Sequence, residues 1–456
     1  MSDILIHTIF CVSYTLVPIV ALLLLSYTGI SLRRFSIPSL FVIYYVTFAY
    51  IGSMPLYFGW NMESLPAGMV DPSILVKLFL FSGTALLTII AGFVFARHVI
   101  GIRAGTANRH AIGAAQTMQS IFIFFLFLLC ILILHSYIRQ VETVALFKAI
   151  DGDVMGAAVA RSQMGSDFKG TYWHYKIFFR QLLDYCVLFF FADYLIKQRV
   201  TPFFLFLASF FVASFSATMA IEKGPFVNLL VMLYLTYVIC RGGNYWQPVA
   251  KYLLFFLPLI IAVGYIYFMG APDISTALMF IPARVFMGQL SPAYFYLDLF
   301  PDRVGYLFGT SFPNPGGLLP FQSYPLTTEV ARLMSPESFA QGITGSAPTV
   351  FWAEMYANFG PAGISFSSFW VGVGLFVISF ILSKLTPSPP VIAATVSMAM
   401  HYAFLSGTSF SNYVFDATLA AIATVTCLSI LLGNTGSAVS ESPDPRASKA
   451  VPLNAE

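Results

Sequence analysis

An all-α polytopic membrane protein is the fold class this sequence predicts, and three observations carry the prediction. Hydrophobic residues make up 58% of the 456 and charged residues only 9%, against roughly a quarter charged in soluble domains. Mean hydropathy is +0.81. The apolar residues also fall into runs long enough to cross a bilayer, which takes about 20 residues. Eleven such runs centre near residues 15, 47, 85, 128, 186, 210, 232, 260, 372, 399 and 423.

In chain order, residues 1–138 hold the first four runs. The opening MSDILIH has no basic leader and no small-residue cleavage site follows it, so the first run is expected to remain as a span. Residues 139–174 form a first long segment outside the lipid, helically spaced in its early half and interrupted by glycines, which fits a helix lying on the membrane surface. Residues 175–269 hold runs five to eight. Residues 270–360 form a larger, partly helical cap: a periodic apolar stretch from Ile274 to Phe300, the turn-rich GTSFPNPGGLLPFQSYP, and a short helix over Thr328–Met334. Runs nine to eleven occupy 361–433, and the polar, proline-containing 434–456 reads as an unstructured tail.

Lys and Arg set the expected orientation. Short loops carry Arg33 and Arg34, then Arg97, Arg103 and Arg109, then Lys197 and Arg199, Arg241 and Lys251, and Lys384, all after odd-numbered runs. By the positive-inside rule these loops face the cytoplasm, which puts the N-terminus outside and the C-terminus inside. The formal charge of +3 is too small to imply a nucleic-acid partner. Cys11, Cys130, Cys186, Cys240 and Cys427 lie inside apolar runs without CxxC spacing and read as small buried hydrophobes. Asp151 and Asp153 in IDGDV spell a DxD, but with Gly152 between them and no further oxygen ligands clustered nearby the pattern reads as a turn. Neither a nucleotide loop nor an HExxH is present, so neither a metal nor a cofactor is expected.

The most informative stretch is Gly345 to Gly363, GSAPTVFWAEMYANFGPAG. Ser346 suits an N-cap, Pro348 a first turn, and Gly360–Pro361 a helix stop, which predicts a short helix ending at the membrane. On it Glu354 and Asn358 share one face, with Val350, Phe351 and Met355 toward the other.

EMYANFGPAG resembles the ExYxNFGxxG pattern that closes the late outer loop of the Wzy-type O-antigen or oligosaccharide repeat-unit polymerases. IEKGPF at Ile221–Phe226 stands where that family carries a small basic element, with Lys223 in place of the usual arginine. The resemblance implies a fold similar to the GT-C class, in the bacterial inner membrane. It implies transfer of a growing glycan from polyprenyl (undecaprenyl) diphosphate to the next lipid-linked repeat unit at the periplasmic face, with a flippase and a chain-length regulator of the same pathway as further partners.

That chemistry grows negative charge on a diphosphate leaving group and removes a proton from an acceptor hydroxyl, so it needs cations and a base. Arg284, in the otherwise uncharged IPARVFMGQL, is the leading cation, the alternative being an arginine snorkelling from an amphipathic helix. Arg161, Arg180 and Arg303 also lie in the outward segments, and lipid headgroups or mixed-charge neighbours explain Arg161 and Arg180 too. Lys223 is either a phosphate contact or an interfacial anchor. Glu354 reads as the base or as a partner of Arg284 or of a helix end. Tyr356 and Asn358 fit sugar hydroxyls or a helix terminus. His401, in VSMAMHYAFLSG, is an ionisable group inside a run, functional or a helix-packing residue. An O-antigen ligase shares the donor chemistry; a histidine in the large loop would favour it, and 270–360 contains none. A lipid-linked oligosaccharide flippase would instead concentrate its charges in a central cavity between short loops.

Overall fold

The computed structural model describes residues 3–60, 71–102, 113–165, 168, 172–269, 273–314, 317–340, 345–414 and 417–440, and their regular secondary structure is helical throughout. In order these are α1 (Asp3–Thr28), α2 (Ile37–Tyr45) running through a π-helical turn at Val46–Tyr50 to α3 (Ser53–Tyr57), α4 (Pro72–His98), α5 (Thr117–Gln140), α6 (Ala145–Ile150), α7 (Val154–Gln163) and α8 (Tyr172–Lys176). A π turn at Ile177–Leu182 leads into α9 (Leu183–Lys197), followed by α10 (Val200–Thr218), α11 (Lys223–Cys240), α12 (Ala250–Met269) and α13 (Ile274–Pro282). After a third π turn at Ala283–Met287 come α14 (Ser291–Leu299), α15 (Leu326–Met334), α16 (Pro336–Ala340), α17 (Phe351–Lys384), α18 (Pro389–Phe404), α19 (Ser411–Val414) and α20 (Ala417–Ser440).

Among the described residues, eight helical stretches are long and apolar enough to cross a membrane: His7–Thr28, Ile37–Tyr57, Pro72–His98, Thr117–Gln140, Val200–Thr218, Phe351–Lys384, Pro389–Gly407 and Ser411–Gly433. This is a polytopic membrane protein. The other three of the eleven expected runs are helical but less plainly spans. The stretch through α9 carries Arg180, Asp184, Asp193 and Lys197, while α11 and α12 offer shorter apolar stretches. Lipid-length helices leave large apolar side chains uncovered, as Val12, Leu16, Ile19 and Leu23 of α1 show. That outward face suits a hydrocarbon solvent.

Two helix groups form the centre. α4 and α17 pack most extensively, and they approach so closely because Gly92 and Gly372 face each other: a Cβ on Gly372 would lie 2.1 Å from the Ile89 carbonyl oxygen. Small residues permit such contact where apolar burial gives no preference for protein over lipid. Beside them α9 is enclosed by α10, α18, α11 and α5, with Tyr185, Cys186, Val187, Leu188 and Phe189 fully buried. Its Asp193 is buried against Lys197 (3.0 Å) and accepts the Ala115 N–H (3.2 Å), so the charge inside the bundle is matched.

Contacts between loops define two ends. At one end, Phe35 N–H donates to Gly243 O (2.7 Å), His98 Nε2 lies 3.0 Å from Tyr27 O and Gly113 N–H donates to Pro387 O (2.9 Å). The described basic loop residues Arg33, Arg34, Arg97, Lys197, Arg199, Arg241, Lys251 and Lys384 belong to the helix ends and loops gathered here; Arg103 and Arg109 fall outside the described residues. At the opposite end, Asp71 caps α4 through the Ser73 N–H (2.8 Å), a bond that holds its carboxyl below the usual carboxylate range. The Asp71 N–H in turn donates to Tyr294 Oη (2.8 Å), fastening α14 to the bundle. The described part of the first long segment folds here too: α6, α7, Phe168, Tyr172, Tyr175 and Phe179 pack around Tyr137, Ala145, Ala160, Met164 and Met219.

Two boundaries differ from expectation. α17 starts at Phe351 and not near Ser346, because Ala347 and Thr349 are taken up by other segments: Ala347 N–H donates to Thr327 O (2.9 Å) and Thr349 Oγ1 to Gln289 O (2.7 Å). α20 runs on to Ser440, and the rest of the expected tail, 441–456, lies outside the described residues.

Candidate functional site

The expected helix stop at Gly360–Pro361 is a kink inside α17. Gly360 adopts φ +64° and ψ −157°, a conformation open to glycine, and the helix resumes at Pro361. Proline has no N–H, so the Ala357 carbonyl loses its partner one turn on, and the kink deprives the Asn358 carbonyl as well. The cap loop fills both vacancies, with Leu307 N–H donating to Ala357 O (3.0 Å) and Phe308 N–H to Asn358 O (3.1 Å).

The side chains of the same turn complete the attachment. Asn358 is fully buried; its Oδ1 accepts the Gly309 N–H (2.8 Å), and its Nδ2 donates to Ser311 Oγ (2.7 Å) and Glu354 O (2.8 Å). Glu354 is 3% exposed and accepts from Ser311 Oγ (3.0 Å), Ser411 Oγ (2.9 Å) and Ser411 N–H (2.8 Å). Tyr356 Oη donates to Phe300 O (3.3 Å). A Cβ on Gly360 would come within 3.0 Å of the Tyr306 ring, and one on Gly363 within 2.4 Å of Met355 O. Every fixed letter of EMYANFGPAG apart from Phe359 thus has a mechanical reason, and together they clamp residues 300–311 and the start of α19 to the outer turn of α17. The polar face of Glu354 and Asn358 is turned into the protein. Burial together with the Glu354 charge also pushes the phenol of Tyr296 up.

Ser311 and Ser411 escape a reading of the sequence because they lie 43 and 57 residues from Glu354. One signal exists: the tetrapeptide GTSF occurs at 309–312 and again at 407–410, supplying Ser311 and leading directly into Ser411.

The cations occupy the same end of the bundle in other places. Arg284 is exposed on the π turn Ala283–Met287, whose backbone presses on Gly52; Glu354 is held by serines, not by this arginine. Arg303 is exposed and paired with Asp298 (2.7 Å). Arg161 is exposed on α7. Arg180 is half-buried on the π turn Ile177–Leu182, one turn before Asp184, and its charge and that of Glu222 both reach the Tyr172 phenol. Burial and Glu222 push that phenol up while Arg180 pulls it down. Lys223 starts α11 directly after Glu222, with its side chain outside the described residues. The fold therefore brings Arg180, the Glu222–Lys223 turn and the helix bearing Arg161 around one apolar cluster.

His401 sits half-buried on α18 with its ring 4.8 Å from Tyr413 and 5.8 Å from Tyr402. It is connected to the clamp through α19, since Tyr413 follows Ser411 by two residues. Asp153 caps α7 through Gly156 N–H (2.8 Å) and pairs with Lys148 (3.5 Å), while Gly152 turns the chain at φ +80°. Among the described residues no group of three His, Cys, Asp or Glu is placed to hold a metal ion.

Compared with protein-family models, curated proteins and solved structures, the chain gives no match.

Proposed function

We propose that this protein polymerises polyprenyl-diphosphate-linked oligosaccharide repeat units at the periplasmic face of the bacterial inner membrane, with eleven spans, the N-terminus outside and the C-terminus in the cytoplasm. The observation that carries the reading is the segregation of function-bearing groups. Basic loops collect at one end, and the EMYANFGPAG clamp collects at the other with Arg161, Arg180, Lys223, Arg284 and Arg303. A site at one face suits a transferase whose lipid-linked donor and acceptor both lie in one leaflet. A transporter would distribute its charges along a central path.

In this reading the arginines neutralise the diphosphate as the anomeric bond breaks, because a guanidinium stays charged when partly desolvated and binds phosphate oxygens in pairs. Arg284 and Arg180 are the leading groups. Arg284→Ala abolishes polymerisation without loss of insertion, and Arg284→Lys restores part of it. The Glu354 carboxylate is buried and occupied, so its role here is to position the cap loop, and the proton of the acceptor hydroxyl passes to a phosphate oxygen of the departing diphosphate as the new glycosidic bond forms. Glu354→Gln then retains turnover per folded molecule. A stable Glu354→Gln protein slowed by about 10²-fold, the usual scale of general-base loss, would restore it as the base.

The decisive assay uses the purified full chain in detergent with lipid-linked repeat units, free of nucleotide sugar. A ladder of longer glycans supports polymerisation. In vesicles, substrate moved across the membrane unextended identifies a flippase, and transfer only onto a lipopolysaccharide core identifies a ligase.

A further inference from the structure

Phe308 combines two unfavourable properties. Its backbone is left-handed, at φ +49°, a strained conformation that bulky L-residues rarely adopt. Its side chain is 75% exposed, so protein packing does not compensate. The conformation is imposed by the clamp, which takes the Phe308 N–H on Asn358 O and the next N–H, of Gly309, on Asn358 Oδ1. A polar grip is holding an aromatic ring away from the protein.

The backbone of this turn is fastened just above the lipid-length part of α17, since the Phe308 N–H is bonded to Asn358 O, three residues before Pro361. Phe359 is the residue after Asn358, and a Cβ on Gly309 would touch its ring at 3.8 Å. Beyond the kink Phe366 and Trp370 are 67% and 50% exposed with ring centroids 6.3 Å apart, and their spacing of four residues keeps them on one face of the helix, while Phe359, just before the kink, is 39% exposed. From Pro361 to Lys384 the helix measures about 36 Å at 1.5 Å per residue, enough for a hydrocarbon core of about 30 Å. Phe366 and Trp370 therefore fall within the acyl region. Phe359, and Phe308 tied through its N–H to the preceding Asn358, fall just beyond it, at headgroup level, where aromatic rings are enriched.

We propose that Phe308 is a membrane-interface anchor: held at the level of Asn358, it inserts into the headgroup–acyl boundary of the bilayer, above the acyl-level Phe366 and Trp370. Lipid contact supplies the burial that the protein withholds, and it fixes the height of the loop above the membrane. The proposal is independent of the reaction catalysed.

The test attaches an environment-sensitive dye through Phe308→Cys in the full chain, with the native cysteines replaced, reconstituted in phosphatidylcholine–phosphatidylglycerol vesicles. Ser335→Cys, exposed after α15, is the reference. Lipids spin-labelled near the headgroup should quench the dye at 308 at least about twofold more than at 335, with a blue-shifted emission at 308, as for a ring at the interface. Phe366→Cys in the same background should be quenched more strongly by labels placed deeper in the acyl chain, which verifies insertion. Equal quenching at 308 and 335 in vesicles that pass this control would overturn the proposal.

Discussion

Two turns at the cation-bearing end of the bundle each force a bulky residue into left-handed backbone, and they do so by opposite means. Ile221 (φ +56°), before Glu222 and Lys223, turns its side chain into the apolar cluster of Met219, Tyr137 and Phe179, where burial offsets the strain. Phe308 (φ +49°) is held by hydrogen bonds from its own and the following N–H to Asn358, while its ring points away from the protein. Strain stabilised by packing makes a rigid corner. Strain imposed by a polar grip presents a side chain to something else, and the grip is formed by Asn358 beside the α17 kink.

Breaking the polar grip should have the largest effect. Asn358→Ala leaves the Gly309 N–H without its carboxamide acceptor inside the protein and removes the donor to Ser311 Oγ and Glu354 O, at a cost of about 2–4 kcal/mol for three hydrogen bonds. Thermal unfolding in detergent should show it, together with faster proteolysis between residues 300 and 325. An Asn358→Ala protein as stable and protease-resistant as the parent would mean that the loop is held by other contacts.

Glycine at the two strained positions sharpens the contrast, because it removes strain in both turns and packing in only one. Ile221→Gly should destabilise by about 1–2 kcal/mol, since the lost burial outweighs the relief. Phe308→Gly should raise stability in detergent by about 0.5–1 kcal/mol, the smallest of these effects and opposite in sign. Shifts of the same sign and size in the two variants would erase the distinction.

The eight lipid-length helices among the described residues were legible because a bilayer demands continuous apolar runs, and the basic loops because Lys and Arg cluster in alternate short loops. α9 was legible as a run centred near 186, but not the pairing of Asp193 with Lys197 and Ala115 that lets charge stay inside the bundle. The Gly360–Pro361 break was readable from residue type alone. Its consequence was not, since the orphaned carbonyls of Ala357 and Asn358 are satisfied by a loop some fifty residues earlier in the chain. For the same reason Glu354 read equally well as a base, an arginine partner or a capping group. Sequence spacing shows which residues share a helix face, but whether that face meets solvent or a pair of serines depends on distant segments.

A double-mutant cycle between Glu354 and Ser411 measures the clamp itself. Unfolding free energies would be compared for the parent, Glu354→Ala, Ser411→Ala and the double variant. A hydroxyl donating to a buried carboxylate at 2.9 Å predicts a coupling of about 1.5–3 kcal/mol, so the double variant should lose less than the sum of the singles. Strict additivity would contradict the claim that Glu354 clamps the start of α19 to α17.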